Sequence, residues 1–167
     1  MATSNNRPVL YSEAERRRRD ATPWTLVQGV LAPVQFAIFL VSLGLVLRTL
    51  ATGEGAALAN ASVVTKTLAL YAIMVTGSLW EKAVFGRYLF APAFFWEDAV
   101  SMLVLALHTG YLAALATGAL AVPALMGLAL AAYAAYLVNA AQFLLKLRAA
   151  RAGAPARRAP RLTEATP

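Results

Sequence analysis

The sequence predicts an all-α integral membrane protein, a four-helix bundle with its N- and C-termini on the cytoplasmic side. Three observations lead there. Hydrophobic residues make up 60% of the 167-residue chain and charged residues only 14%, more apolar surface than a water-soluble domain of this size can enclose. The apolar residues fall into four runs, each close to the ~20 residues that cross ~30 Å of hydrocarbon. Most of the basic residues flank these runs, so the net charge of +7 and the pI near 10.3 speak of topology, with no nucleic-acid partner implied.

The elements follow in order. Residues 1–22 read as a cytoplasmic N-terminal segment without an apolar run of its own. Span one covers about 24–50, announced by Thr22 as N-cap, Pro23 at the first helical position and Trp24 at headgroup depth. It is too long, and lacks the cleavage pattern, for a removable signal peptide. Thr52-Gly53-Glu54-Gly55 ends it. Span two covers about 59–80, span three 98–117 and span four 123–147, with Gly118 and Pro123 bracketing the last hairpin. Lipid cannot hydrogen-bond an exposed peptide group, so each run must be helical, and the short connections make sequential neighbours antiparallel. Residues 23–150 thus form the spanning domain, and 151–167, rich in Ala, Pro and Arg, read as a disordered basic tail.

Orientation comes from the 15 Lys and Arg residues: five precede span one, six lie from Lys146 onward, two (Lys82, Arg87) sit at the second connection, and two (Arg48, Lys66) flank the first. The positive-inside rule puts both chain ends in the cytoplasm. The uncharged third connection, Gly118 to Val122, then lies outside.

Several function classes drop out. The chain has no cysteine, so disulfides, thiolate metal sites and a cysteine nucleophile are excluded. No G-x-x-x-x-G-K, H-E-x-x-H, G-x-S-x-G or clustered-His pattern occurs, which argues against a nucleotide hydrolase, zinc protease, serine hydrolase or di-iron oxygenase. A small transporter would be expected to carry charge at the membrane midplane, whereas the carboxylates here lie near one surface.

The second connection, Glu81 to Asp98, is the unusual one and the candidate place for chemistry. It holds Phe85, Tyr88, Phe90, Phe94, Phe95 and Trp96 between acidic ends, and Glu81, Glu97 and Asp98 are three of only eight acidic residues in the chain. An aromatic strip at that depth is either an interfacial belt or a platform for a flat ligand. The carboxylates can be neutralised by Lys82 or Arg87. His108, the only histidine, lies eleven residues after Glu97, which returns it to nearly the same helix face, so Glu97, Ser101 and His108 form one stripe. A histidine in a membrane helix is costly to leave unpaired, so it either hydrogen-bonds across helices or ligates a metal-bearing pigment. Comparable stripes are Gln28, Gln35 and Ser42 on span one, Lys66, Gly77 and Glu81 on span two, and Tyr136, Asn139, Gln142 and Lys146 on span four. Turned inward, they either knit the helices together or surround a polar pocket.

The stretches RRRRDATPWTLVQGVLAPVQF (16–36), LATGEG (50–55), WEKAVFGRYLFAPAFFWEDAVSML (80–103), ALHTGYLAAL (106–115) and NAAQFLLKLRAAR (139–151) together resemble the 2-vinyl bacteriochlorophyllide hydratase family, the chlorophyllide a 3-vinyl hydratases of bacteriochlorophyll biosynthesis. The resemblance covers all but the chain ends and brings no residue roles with it. It implies a hydro-lyase that adds water to the 3-vinyl group of chlorophyllide a or a related bacteriochlorophyllide, giving the 3-(1-hydroxyethyl) product. The implied partners are a tetrapyrrole, water and the bilayer. A homo-oligomer or contact with other pigment-pathway enzymes is left open. No cofactor is expected, since the magnesium belongs to the substrate.

Such a reaction needs an acid to protonate the vinyl group, and partly buried carboxyl groups serve that role. Glu81, Glu97 and Asp98 are therefore the candidate catalytic residues, Glu97 foremost. His108 is a candidate axial ligand of the substrate magnesium or a proton relay, and Phe95, Trp96, Ser101, Gln28, Gln35 and Asn139 are candidate substrate contacts. The alternative is a non-catalytic pigment carrier that uses His108 as the magnesium ligand.

Overall fold

The computed structural model describes residues 10–152. The tail expected at 151–167 falls almost wholly outside them. Five helices follow in order: α1 (Glu13–Ala21), α2 (Pro23–Thr52), α3 (Ala56–Phe85), α4 (Phe95–Thr117) and α5 (Val122–Ala152). Among the described residues there is no strand. Helices α2 to α5 are each long and apolar enough to cross a membrane, so the chain is an all-α, multi-pass membrane protein.

The spanning helices form a closed ring in chain order, each meeting its sequence neighbours and α2 also meeting α5. Packing is closest within two hairpins, α2–α3 and α4–α5, and looser where the hairpins meet. The first hairpin turns in three residues because Gly53 (φ 74°) caps α2 and Gly55 (φ 78°) opens α3. Both are in the left-handed region, which a residue with a Cβ rarely adopts.

Each helix turns a stripe spaced by three and four residues into the bundle. On α2 it is Gln35, Phe39, Ser42, Val46 and Thr49, and on α4 Glu97, Ser101, Val104, His108 and Tyr111. The large apolar residues Leu26, Val41, Val75 and Leu145 stay on the outside, as expected of surfaces facing acyl chains. Phe39, Val63, Val104, Met126 and Tyr133 fill the interior.

Two departures from the sequence reading bear on the site. Residues 81–85 and 95–97, expected in the second connection, are helical, so the connection shrinks to residues 86–94. Hydropathy marks where apolar character fades, whereas a helix ends at its cap, here Gly86, whose N–H donates to the Lys82 carbonyl. Helix α1 was not foreseen. Its signal is the capping box of Ser12 and Glu15: the Ser12 N–H donates to Glu15 Oε2 at 2.7 Å, and the Glu15 N–H to Ser12 Oγ at 3.3 Å.

Candidate active site

Most of the buried polar groups lie in three tiers along the inside of the bundle. On α4 the steps from Asp98 to Ser101 and from Ser101 to His108 are ~5 Å and ~10 Å of helix rise. One tier holds Glu81, Glu97, Asp98 and Lys146. The middle tier holds Ser101 and Asn139. The third holds Ser42, Lys66, His108 and Tyr133.

The first tier closes one end of the bundle. Glu81 at the end of α3 and Asp98 in the first turns of α4 are 5% and 3% exposed, with their carboxyl groups within hydrogen-bonding reach of each other. Each also accepts a backbone N–H from the connecting loop: Phe90 donates to Asp98 Oδ2 at 2.7 Å and Ala91 to Glu81 Oε2 at 3.2 Å. This draws the loop over the helix ends and holds Phe90 at φ 58°, a conformation that costs a residue with a Cβ on the order of 1 kcal/mol. Aromatic packing secures the cover. Phe94 sits against Trp80, Phe85 and Phe143, while Tyr11, just ahead of α1, stacks on Phe85. Burial pushes the Tyr11 hydroxyl up from its usual range, against the opposing pull of Arg19, whose guanidinium lies 4.9 Å from the ring centroid.

Glu97 is held differently. Its Oε2 accepts from Lys146 Nζ of α5 at 2.5 Å. The sequence reading gave neutralisation to Lys82 or Arg87, but Lys82 turns to the Gly86 carbonyl and lies near the Tyr88 ring, and Arg87 makes no ion pair among the described residues. The reason is geometric: Lys146 lies on the inward stripe of α5, a contact across helices that no local spacing displays.

In the middle tier Asn139 Nδ2 donates to Ser101 Oγ at 2.8 Å, leaving Asn139 Oδ1 buried without a partner. In the third, His108 is fully buried and its Nδ1 lies 2.8 Å from the Val104 carbonyl. A carbonyl only accepts, so Nδ1 carries the proton and Nε2 keeps its lone pair. That nitrogen has no partner. The His108 ring lies 5.9 Å from that of Tyr133, whose hydroxyl is bonded to Ser42. Lys66 is fully buried beside this group, its Nζ 3.8 Å from the Tyr136 ring centroid and without a hydrogen-bond partner. Gln35 Nε2 is likewise buried and unpaired.

The structure thus brings Glu81, Asp98 and Glu97 together and lines up Ser101, Asn139, Gln35 and His108 along the interior. Three expected contacts lie elsewhere. Trp96 and Phe95 stand on the outer side of α4, 71% and 47% exposed, because a helix that turns Glu97 and Asp98 inward must turn their two predecessors out. Gln28 donates to Thr76 Oγ1 at 2.7 Å and ties α2 to α3. Lys66 is the residue with a stronger claim than the sequence reading gave it, which placed it in a polar stripe without a role.

The frame is that of a multi-pass membrane protein with buried carboxyl groups at one end of its bundle and an unpartnered imidazole nitrogen deeper inside. The model of the family described as 2-vinyl bacteriochlorophyllide hydratase (BCHF) matches residues 11–149. The chain is similar to the 2-vinyl bacteriochlorophyllide hydratase of Cereibacter sphaeroides, 66% identical over 144 residues that cover 85% of this chain and 88% of the relative. It is also similar to the protein of that name from Rhodobacter capsulatus, 64% identical over 148 residues, 87% of this chain and 85% of the relative. The chain belongs to the 2-vinyl bacteriochlorophyllide hydratase family and is a hydro-lyase. No solved structure matches it.

Proposed function

We propose that this protein adds water to the 3-vinyl group of chlorophyllide a, or of a closely related bacteriochlorophyllide, to give the 3-(1-hydroxyethyl) pigment. The observation that carries the reading is the buried Glu81 and Asp98 carboxyl pair, in a chain whose relatives bear the name hydratase. Two carboxyl groups in hydrogen-bonding reach can share one proton. That proton passes to the terminal vinyl carbon as the C=C π pair forms the new C–H bond. Positive charge then develops on the carbon attached to the ring, where the macrocycle delocalises it. Water adds there through its oxygen, and its extra proton returns to the carboxyl pair. Atoms and charge balance with no redox partner, so the reaction calls for no cofactor beyond the magnesium the substrate carries.

Glu97 is assigned a different part. Bound to Lys146, it is a carboxylate already paired with a cation, which fixes the end of α5 beside the acid pair. His108 Nε2 suits the axial position of the substrate magnesium, since the Val104 bond holds its tautomer and orientation. His108 lies ~15 Å of helix rise from Asp98, deeper in the bundle than the carboxyl pair. The charge count supports an orientation with termini and carboxyl pair toward the cytoplasm of the inner membrane, and residues 23–150 would carry the activity.

Membranes containing the protein, incubated with 3-vinyl chlorophyllide, are expected to give a blue-shifted pigment whose mass has risen by one water. Pigment binding without that gain favours the carrier reading. His108→Ala is expected to weaken pigment binding by roughly 10-fold or more, the scale set by one well-oriented polar interaction. Unchanged affinity, measured by absorption titration, removes the axial-ligand role.

A further inference from the structure

Among the described residues Lys66 is the one Lys or Arg sealed inside the bundle: it is fully buried, its ammonium has no hydrogen-bond partner, and no described ion pair includes it. Its neighbours give it no negative charge. Tyr136 of α5 offers a ring face at 3.8 Å, and His108 of α4 is the ionisable group within electrostatic reach. The buried acids Glu81, Glu97 and Asp98 belong to the opposite tier, ~22 Å of helix rise away from Lys66 in the case of Glu81. A cation so enclosed is costly unless an anion meets it. A ring face offsets only part of that cost.

We infer that Lys66 binds a carboxylate on the ligand, and so sets which way round the pigment enters the bundle. The inference rests on the tetrapyrrole reading above, whose substrate, as a chlorophyllide, carries one free acid arm on an otherwise apolar plate. With the acid arm at Lys66 and the metal at His108 in the same tier, the remainder of the ring extends along the bundle toward Glu81 and Asp98. The interior thus has a cation at one end for the anionic arm and a proton source at the other for the vinyl group. Reversed entry would bring the carboxylate against the Glu81–Asp98 pair, which keeps one negative charge when it shares a single proton, and is disfavoured by like-charge repulsion.

The test compares the free acid with its methyl ester, which keeps the ring and loses the charge. Wild-type protein is expected to bind the acid roughly 10- to 100-fold more tightly than the ester, the range of one hydrogen bond between charged groups. Lys66→Met should bind acid and ester alike, through weaker binding of the acid and unaltered binding of the ester, with KM affected more than kcat. Lys66→Arg should keep the preference for the acid. Equal binding of acid and ester by wild-type protein overturns the inference, and so does a Lys66→Met variant that still prefers the acid. The wild-type comparison needs no variant to fold. Selective binding of the acid without hydrated product would leave Lys66 in place and remove the hydratase reading; hydration with no preference between acid and ester would do the reverse.

Discussion

Asp98→Asn or Glu81→Gln is expected to lower turnover by ~10²- to 10⁴-fold, the contribution of a positioned general acid, with little change in the amount of folded protein. The amide is the informative replacement. It keeps an oxygen to accept the loop N–H of Phe90 or Ala91, so the cover stays in place, but it cannot deliver a carboxyl proton. Alanine removes anchor and acid together and would mix the two effects. The pair acts as a unit, so the double variant should be barely slower than the worse single one. Initial rates of hydrated-pigment formation in membranes with matched protein content decide the matter. Full activity in both amide variants would reduce the pair to a loop fastening.

Lys146→Met is expected to destabilise the bundle by about 3 kcal/mol, near the lower end for breaking a buried ion pair. The asymmetry of the pair sets the direction. The Lys146 side chain is 26% exposed and that of Glu97 only 9%, so losing the lysine strands the more deeply buried charge. Glu97→Leu should therefore cost less, because the released ammonium can reach outward. The double variant Glu97→Leu with Lys146→Met should recover much of the loss, as a double-mutant cycle in detergent unfolding would show. Glu97→Gln bears on the chemistry. Turnover falling as far as in Asp98→Asn would return the proton-donor role to Glu97.

The spans and the inward stripes were legible because membrane helices impose two plain signals: a run of apolar length, and polar residues recurring every three to four positions. Glu97, Ser101 and His108 share a face in sequence and in space for that reason. The partnerships were not legible. Lys146 meets Glu97 across a gap of 49 positions, and nothing local distinguishes it from Lys82, which lies nearer in the chain yet turns away. Local order can mislead as well: Phe95 and Trp96 adjoin the acids in sequence, and the helical turn sends them to the opposite side. The aromatic strip divides likewise, with Phe85 and Phe94 packed inward and Trp96 outward. Lys66 was visible as a charge inside an apolar run, but its isolation emerges only when all four helices surround it.

The looser seam between the α2–α3 and α4–α5 hairpins also bears on how the molecule is made. A hairpin released from the translocon by itself would present Lys66 or His108 to acyl chains, where such groups are poorly tolerated. Joining the halves shelters them, so the same two groups penalise incomplete assembly. Late docking of the second hairpin would then be coupled to burial of both groups, and chains stalled before that point would be exposed to membrane quality control.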